Sequence, residues 1–418
     1  MKRLKAGALQ LVTFIIVVIA LLLSSFLILT HVHKQFRLQT SHVIESVRLV
    51  DQGVFYTLSQ SNKIADTLTI PVFDEDYKSL KSKTSFWGVF EQVYAEVQIK
   101  NKTLKKTALV GSQQTNPKTA LFLKDNNRPL VIVGHTEING LAYLPKRGIK
   151  SGNISGHSYY GTQHVNGIIK ESQKFPMLDV SLQKHINALV ELPIGNQKEV
   201  DYLDINANRK TVNSFSTKLK LVYSDKTIVL SEIELSGHVI IQSDIKIIVE
   251  ETSKLVDVIL IAPSIEIKKN VEGTFQAFAT NKISVSENVK LDYPSALVLY
   301  GDYKKNDLYQ EHILEINANT QIKGSVLCIG NTTPDNYDSQ LKIDANVVIE
   351  GEVYCEQNLE LKGTVYGSVY TNNFIVKEGG TTYQNHLYNG KVNSKELTKH
   401  YVGLVLDNRP KQIMKWLY

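Results

Sequence analysis

Apolar and polar positions alternate along most of the C-terminal half of the chain, and the alternation returns at fixed intervals. Ile247, Ile265 and Ile283 are 18 residues apart, as are Val249, Ile267 and Val285, and Val271 lies 18 before Val289. Two later stretches share the frame L-x-I-[ND]-A-N-x-x-I-x-G-x-V-x-C at a spacing of 27: Leu314, Ile316, Asn319, Ile322, Gly324, Val326 and Cys328, then Leu341, Ile343, Asn346, Ile349, Gly351, Val353 and Cys355. A unit this short cannot bury its own inward face, so successive copies must stack. Eighteen residues divide into three strands of about six, the triangular coil of a parallel β-helix. The 27-residue spacing is the same coil with nine residues added, and the polar stretch 331–340 (NTTPDNYDSQ) supplies the outward loop. Residues 302–311 form a second such loop on this reading. Asn319 and Asn346 fall at one coil corner, as an asparagine ladder satisfying backbone groups where the chain turns.

The N-terminal pattern is of another kind. A basic leader (Met1, Lys2, Arg3, Lys5) closes on Gly7, and residues 8–30 then run 23 positions without a charge. That length spans ~30 Å of hydrocarbon as a helix. It exceeds the apolar region of a secretory signal, and no small-residue cleavage site follows, so the run reads as a retained anchor. The leader's positive charges outweigh Lys34 and Arg37 slightly, which favours a cytoplasmic N-terminus and a body outside the inner membrane. A polar continuation to about residue 61 keeps helical character.

Between the anchor and the repeats lie short strand-like runs. Residues 86–97 alternate loosely, Leu130–Val133 is a buried run, and glycines thicken from 134 to 170 (Gly140, Gly148, Gly152, Gly156, Gly161, Gly167). No lysine or helix follows these glycines as a phosphate loop requires, so they read as tight corners of a first, irregular solenoid segment. Leu182, Ile186, Leu189 and Leu192 have helical spacing between Pro176 and Pro193, a linker helix or lid. The last copy decays through Leu359, Leu361, Gly363, Val365, Gly367 and Val369. The aromatic end with Trp416 and Tyr418 reads as a cap over an open coil edge. The predicted organisation is a leader at 1–7, a transmembrane helix at 8–62, an irregular Gly-rich β region at 63–175, a linker helix and strands at 176–230, a parallel β-helix at 231–390 and a cap at 391–418. The fold class is mainly β, with a right-handed coil.

Composition narrows the chemistry. Lys and Arg total 47 against 41 Asp and Glu, and the basic stretch 100–106 (KNKTLKK) reads as a solvated loop or hairpin rather than a nucleic-acid patch, so no nucleic-acid partner is expected. The two cysteines, Cys328 and Cys355, occupy one slot of consecutive copies, about 4.8 Å apart. They form either a buried thiol ladder or a disulfide suited to an oxidising compartment. Neither H-x-x-x-H on a helix nor H-E-x-x-H occurs, so neither a metal nor another cofactor is expected. Asp244, Glu250, Glu266 and Glu287 alternate with core positions as a solvated outer face, so no catalytic residue is assigned.

The basic leader closing on Gly7, the apolar helix ALQLVTFIIVVIALLLSSFLIL and the polar helical continuation resemble the type IV pilin family, in particular minor pilins and the pseudopilins of type II secretion. Residues 47–59 (VRLVDQGVFYTLS) faintly resemble the A-G-x-x-x-A-L stretch of one minor-pilin group, keeping Gly53 and Leu58. The resemblance covers about 60 residues and implies cleavage between Gly7 and Ala8 by a prepilin peptidase. Pilins usually carry Glu at the fifth mature position, where this chain has Val12. The coils and cap resemble bactofilins, bacterial polymer-forming scaffolds, through I-x-G-x-V frames such as the one from Ile349 to Val353.

These readings lead to a single-pass, membrane-anchored structural or assembly protein that displays a β-solenoid in the periplasm or at the cell surface. Its partners would be membrane lipid, pilin-like or secretion-system subunits, and copies of itself. The alternatives are a glycan-active lyase or hydrolase working along a β-helix face, or a bactofilin-like polymer-forming scaffold.

Overall fold

The computed structural model describes residues 6–60, 66–72, 77–114, 116–191, 193–197, 199–303, 311–406 and 409–417. The leader residues Met1, Lys2, Arg3 and Lys5, the expected helix end at 61–62, Leu192, Tyr418 and most of the 302–311 loop lie outside these.

Helix α1 runs Ala6–Ser59, 54 residues and roughly 80 Å. Its first half is exposed at every position from Gly7 to Thr40. Its second half buries Ser46, Val50, Gly53, Val54 and Thr57, positions three and four apart that form one face. That face lies on an antiparallel sheet whose strands Thr67–Ile70, Lys78–Trp87, Phe90–Ile99 and Lys102–Gln113 are neighbours in that order. Gly53 permits the close approach, since a Cβ there would stand 2.9 Å from Leu80 Cδ1. Thr57 Oγ1 donates to Ser82 Oγ at 2.6 Å, and Lys106 Nζ meets Asp51 at 2.6 Å.

The sheet is completed from the far end of the chain. Val402–Gly403 and Lys411–Leu417 both pair antiparallel with Lys102–Gln113. The expected cap is therefore corrected for these strands: Val402–Gly403 and Lys411–Leu417 belong to the head, the unit formed by the second half of α1 and this sheet. Ile413 and Trp416 pack towards α1 and Met414 and Leu417 towards the solenoid, so the aromatic end is covered on both faces. Because Val402 stands opposite Gln113, the chain leaves the head and re-enters it at adjacent points. Everything between is an insertion.

The insertion is a stack of parallel coils. Ile228, Ile247, Ile265, Ile283, Leu314, Leu341 and Leu359 are successive register partners, and all belong to one core. The 18-residue and 27-residue spacings are thus one coil without and with a loop. At one corner Asn270, Asn288, Asn319 and Asn346 have φ of 59°, 62°, 60° and 61°. Asparagine tolerates this left-handed conformation better than most residues, which accounts for the repeated A-N.

Two boundaries differ from the sequence reading. Coils begin at Val200–Tyr202, which pairs parallel with Leu219–Ser224, not at residue 231. Short strands with exposed Tyr202, Val212 and Val229 at the open end obscure the alternation there. Residues 63–175 also divide in two. The first part is head sheet, and the rest is solenoid, but it does not precede the coils at 200. Thr119–Leu123 pairs parallel with Thr364–Glu378, Leu141–Leu144 follows it, and Ile169–Glu171 comes last. The Gly-rich turns therefore extend the far end of the stack. The chain winds outward from 119 to 171, returns along the outside, and winds back from 200 to 378. The edge of Thr364–Glu378, which end-to-end pairing of the repeats would need, is already occupied.

The return is made by α2 (Val180–Glu191) and α3 (Ile194–Gln197). Leu182, Ile186 and Leu189 cover a stripe of outward-facing apolar residues that includes Ile259, Phe278 and Val298. The linker helix is thus a strap along one flank, held by the Ile194 amide donating to Gln242 Oε1 at 2.9 Å and the Tyr300 hydroxyl donating to Asn187 at 3.0 Å.

Candidate functional site

Two features distinguish this chain from a plain coil stack: the unpartnered half of α1, and the junction that fixes the head to the solenoid. Among the described residues α1 is the one helix long and apolar enough to cross a membrane. Leu9, Leu22, Phe26 and Leu29 are all more than half exposed, an arrangement water alone would not tolerate. Gly7 lies in its first turn, and a Cβ at that position would meet nothing within 4 Å. Val12 is 53% exposed on the same helix.

At the junction the head lies against the side of the stack. The tight turn at Gly88, φ 63°, brings its backbone onto Gln276, whose Oε1 accepts from the Val89 amide and whose Nε2 donates to Trp87 O, each at 2.9 Å. Trp87 Nε1 donates to Asp257 O at 3.0 Å, and its ring contacts Phe215 and His238 at 5.1 Å. Lys415 holds Asp257 at 2.7 Å. Further along, the Tyr293 hydroxyl donates to Val402 O at 2.8 Å and the Tyr401 hydroxyl to Gly324 O at 3.1 Å. The contacts run across many coils, so the solenoid and head share their stability.

Glu352 is the unusual group in this junction. It is fully buried, and its carboxyl accepts from the Leu404 amide at 2.6 Å and from Gln114 Nε2 at 3.2 Å. Burial raises its pKa; the Leu404 amide, Arg409 and Gln114 oppose that without cancelling it. A carboxyl whose folded pKa lies above its unfolded value contributes stability that is present in acid and lost as pH rises through the folded pKa. Glu352→Gln should therefore melt like the parent in acid and higher than the parent at neutral pH. Melts from pH 4 to 8 measure this, and a gap that fails to widen with pH would refute it.

The remaining sequence candidates fall as follows. Cys328 and Cys355 are register partners on adjacent coils. Both thiols are free and buried, and burial, then Cys355, pushes the Cys328 thiol up. Glu266 is shared by Lys246 and Lys268, Glu287 pairs with Lys269, and Asp244 accepts from the Tyr223 hydroxyl at 2.6 Å. These acids lie on the outer surface and do not converge. Among the described residues no three His, Cys, Asp or Glu side chains are grouped to hold a metal ion. Sequence reasoning missed the junction, because Trp87 and Gln276 carry no motif and meet only through the insertion.

No protein-family model matches the chain, and no curated protein matches it. Among solved structures, ComZ from Thermus thermophilus, described as a competence-associated pilin, is similar over 85% of this chain and 88% of that one, with 10% identity and a TM-score of 0.25. A score so low does not relate the two architectures.

Proposed function

We propose that this chain is a minor, pilin-like structural subunit, anchored in the inner membrane by α1 and presenting a β-solenoid on its head outside that membrane. The observation that carries the reading is the two-part helix: its apolar half is bare, while its other half packs on an antiparallel sheet. A bare apolar helix needs lipid or the same half of neighbouring subunits, and the head then stands clear of that layer. The insertion between Gln113 and Val402 leaves the head's own pairing intact, so a large display module is carried without disturbing helix or sheet.

Gly7 supports processing. It closes the basic leader immediately before the uncharged run, the position at which a prepilin peptidase would cut. The native protein should begin at Ala8 by intact mass and N-terminal sequencing. A chain still starting at Met1 in cells with an active prepilin peptidase would leave only an uncleaved single-pass anchor.

A further inference from the structure

The charge of the solenoid is divided along its axis. Between residues 200 and 378 seventeen lysines and arginines stand against twenty-five carboxylates, and most of these lysines are ion-paired, as Lys282 is with Glu311 and Lys342 with Glu315. In the turns from 117 to 177 the balance reverses to eight basic side chains against three acidic. Among the described residues none of those eight forms an ion pair, although Glu137 in the same turns is held by Lys391. The mild net charge of the whole chain conceals this basic end.

A cleft of about 810 Å³ opens on the flank of these turns, where they join Thr364–Glu378. Its floor is a run of rings: Phe122 lies 5.2 Å from Tyr143, 5.8 Å from Phe175 and 6.5 Å from Tyr370. Lys170, Lys174 and Arg409 stand around it, with Lys170 Nζ 6.0 Å above the Tyr143 ring and Arg409 donating to the Tyr370 hydroxyl at 3.3 Å. Glu171 and Gln173 lie between the cations.

We propose that this cleft binds an acidic oligosaccharide, with the sugar carboxylates met by Lys170, Lys174 and Arg409. Charge-assisted bonds from these groups suit carboxylates, half-buried Phe175 and exposed Met177 offer apolar surface to sugar C–H groups, and Glu171 and Gln173 accept from hydroxyls. A nucleic acid fits less well. Phe122 and Tyr370 are only 5% and 1% exposed and Tyr143 lies under an ammonium, which leaves half-buried Phe175 as the one ring of the four open to a base, where single-strand binding relies on several in succession. A phosphate backbone also has no donor to give Glu171. The proposal goes beyond the assembly role and does not depend on how α1 is processed or packed.

The test is titration calorimetry of the full-length protein in detergent micelles with a galacturonate hexamer, a neutral hexasaccharide and single-stranded DNA of similar length. The uronate should bind, more weakly as salt is raised. The exposed pair Lys170→Glu/Lys174→Glu should lose about tenfold or more in affinity with an unchanged melt, while Lys170→Arg/Lys174→Arg retains binding. Failure of the parent protein to bind the uronate, an affinity unmoved by charge reversal, equal binding of the neutral sugar, or tighter binding of DNA would each overturn it.

Discussion

Ile343→Asp should abolish the cooperative melt of the whole body, head included. Ile343 is 1% exposed and stands between Ile316 and Leu361 in successive coils, inside a core that continues unbroken from Leu121 to Val392. Losing the side chain removes about 2–3 kcal/mol of burial, and an unpaired carboxyl in its place costs several more even if it takes up a proton. Those terms together rival the whole stability of an ordinary domain, about 5–15 kcal/mol. Since Trp87 and Gln276 tie head to coils, the head should not survive as a separate transition. Lys342→Ala, one position away on the outer face, removes only a half-exposed pair with Glu315 and should cost under about 1 kcal/mol. Thermal melts of the two variants check this; similar curves would mean that position 343 does not face the core.

The contrast between those neighbouring positions is also what made the coils legible. A strand buried on one face alternates, and a stack repeats the alternation coil by coil, so the register from Ile247 to Ile283 and from Leu314 to Leu341 can be read by counting, while the 31-residue step between them is set by its loop. Counting fails where both faces are covered. Thr119–Leu123 is buried at all five positions, because one face fills the core and the other lies under the rings of the cleft. It therefore carries no alternation to mark it as the seam with Thr364–Glu378. Lys411–Leu417 was misplaced for a related reason: Ile413 and Trp416 pack on one side of its sheet and Met414 and Leu417 on the other. Local sequence gives the demand for cover but not its source, which here is a strand about 300 residues earlier. The strap shows the opposite case, since the spacing of Leu182, Ile186 and Leu189 predicted the helix and only the outward stripe of the solenoid decided where it lies. For the basic cleft a usable signal did exist, in the charge balance taken segment by segment.

Gly351→Ala should be among the most damaging single-methyl additions at the described glycines. Gly324, Gly351 and Gly367 are register partners with φ of 144°, 150° and 152°, a conformation that L side chains rarely adopt. A Cβ at 351 would lie 1.9 Å from Gly324 O and 2.7 Å from the Tyr401 hydroxyl. The first contact is backbone, so relief requires parting two hydrogen-bonded coils or turning φ away from its native value. Either course strains Gly367 above, where a Cβ would stand 1.8 Å from Gly351 O, and loosens Tyr401, which ties the returning chain to Gly324. Strained backbone and overpacking together should cost ~2–6 kcal/mol. Gly301→Ala separates the two contributions, because Gly301 has a matching φ of 145° but no atom nearer than 3.4 Å to an added Cβ, so only the conformational cost of about 1–3 kcal/mol applies. Denaturant midpoints of both variants measure the difference, and equal losses would show that the stacked glycines answer to φ alone and not to the close approach of the coils.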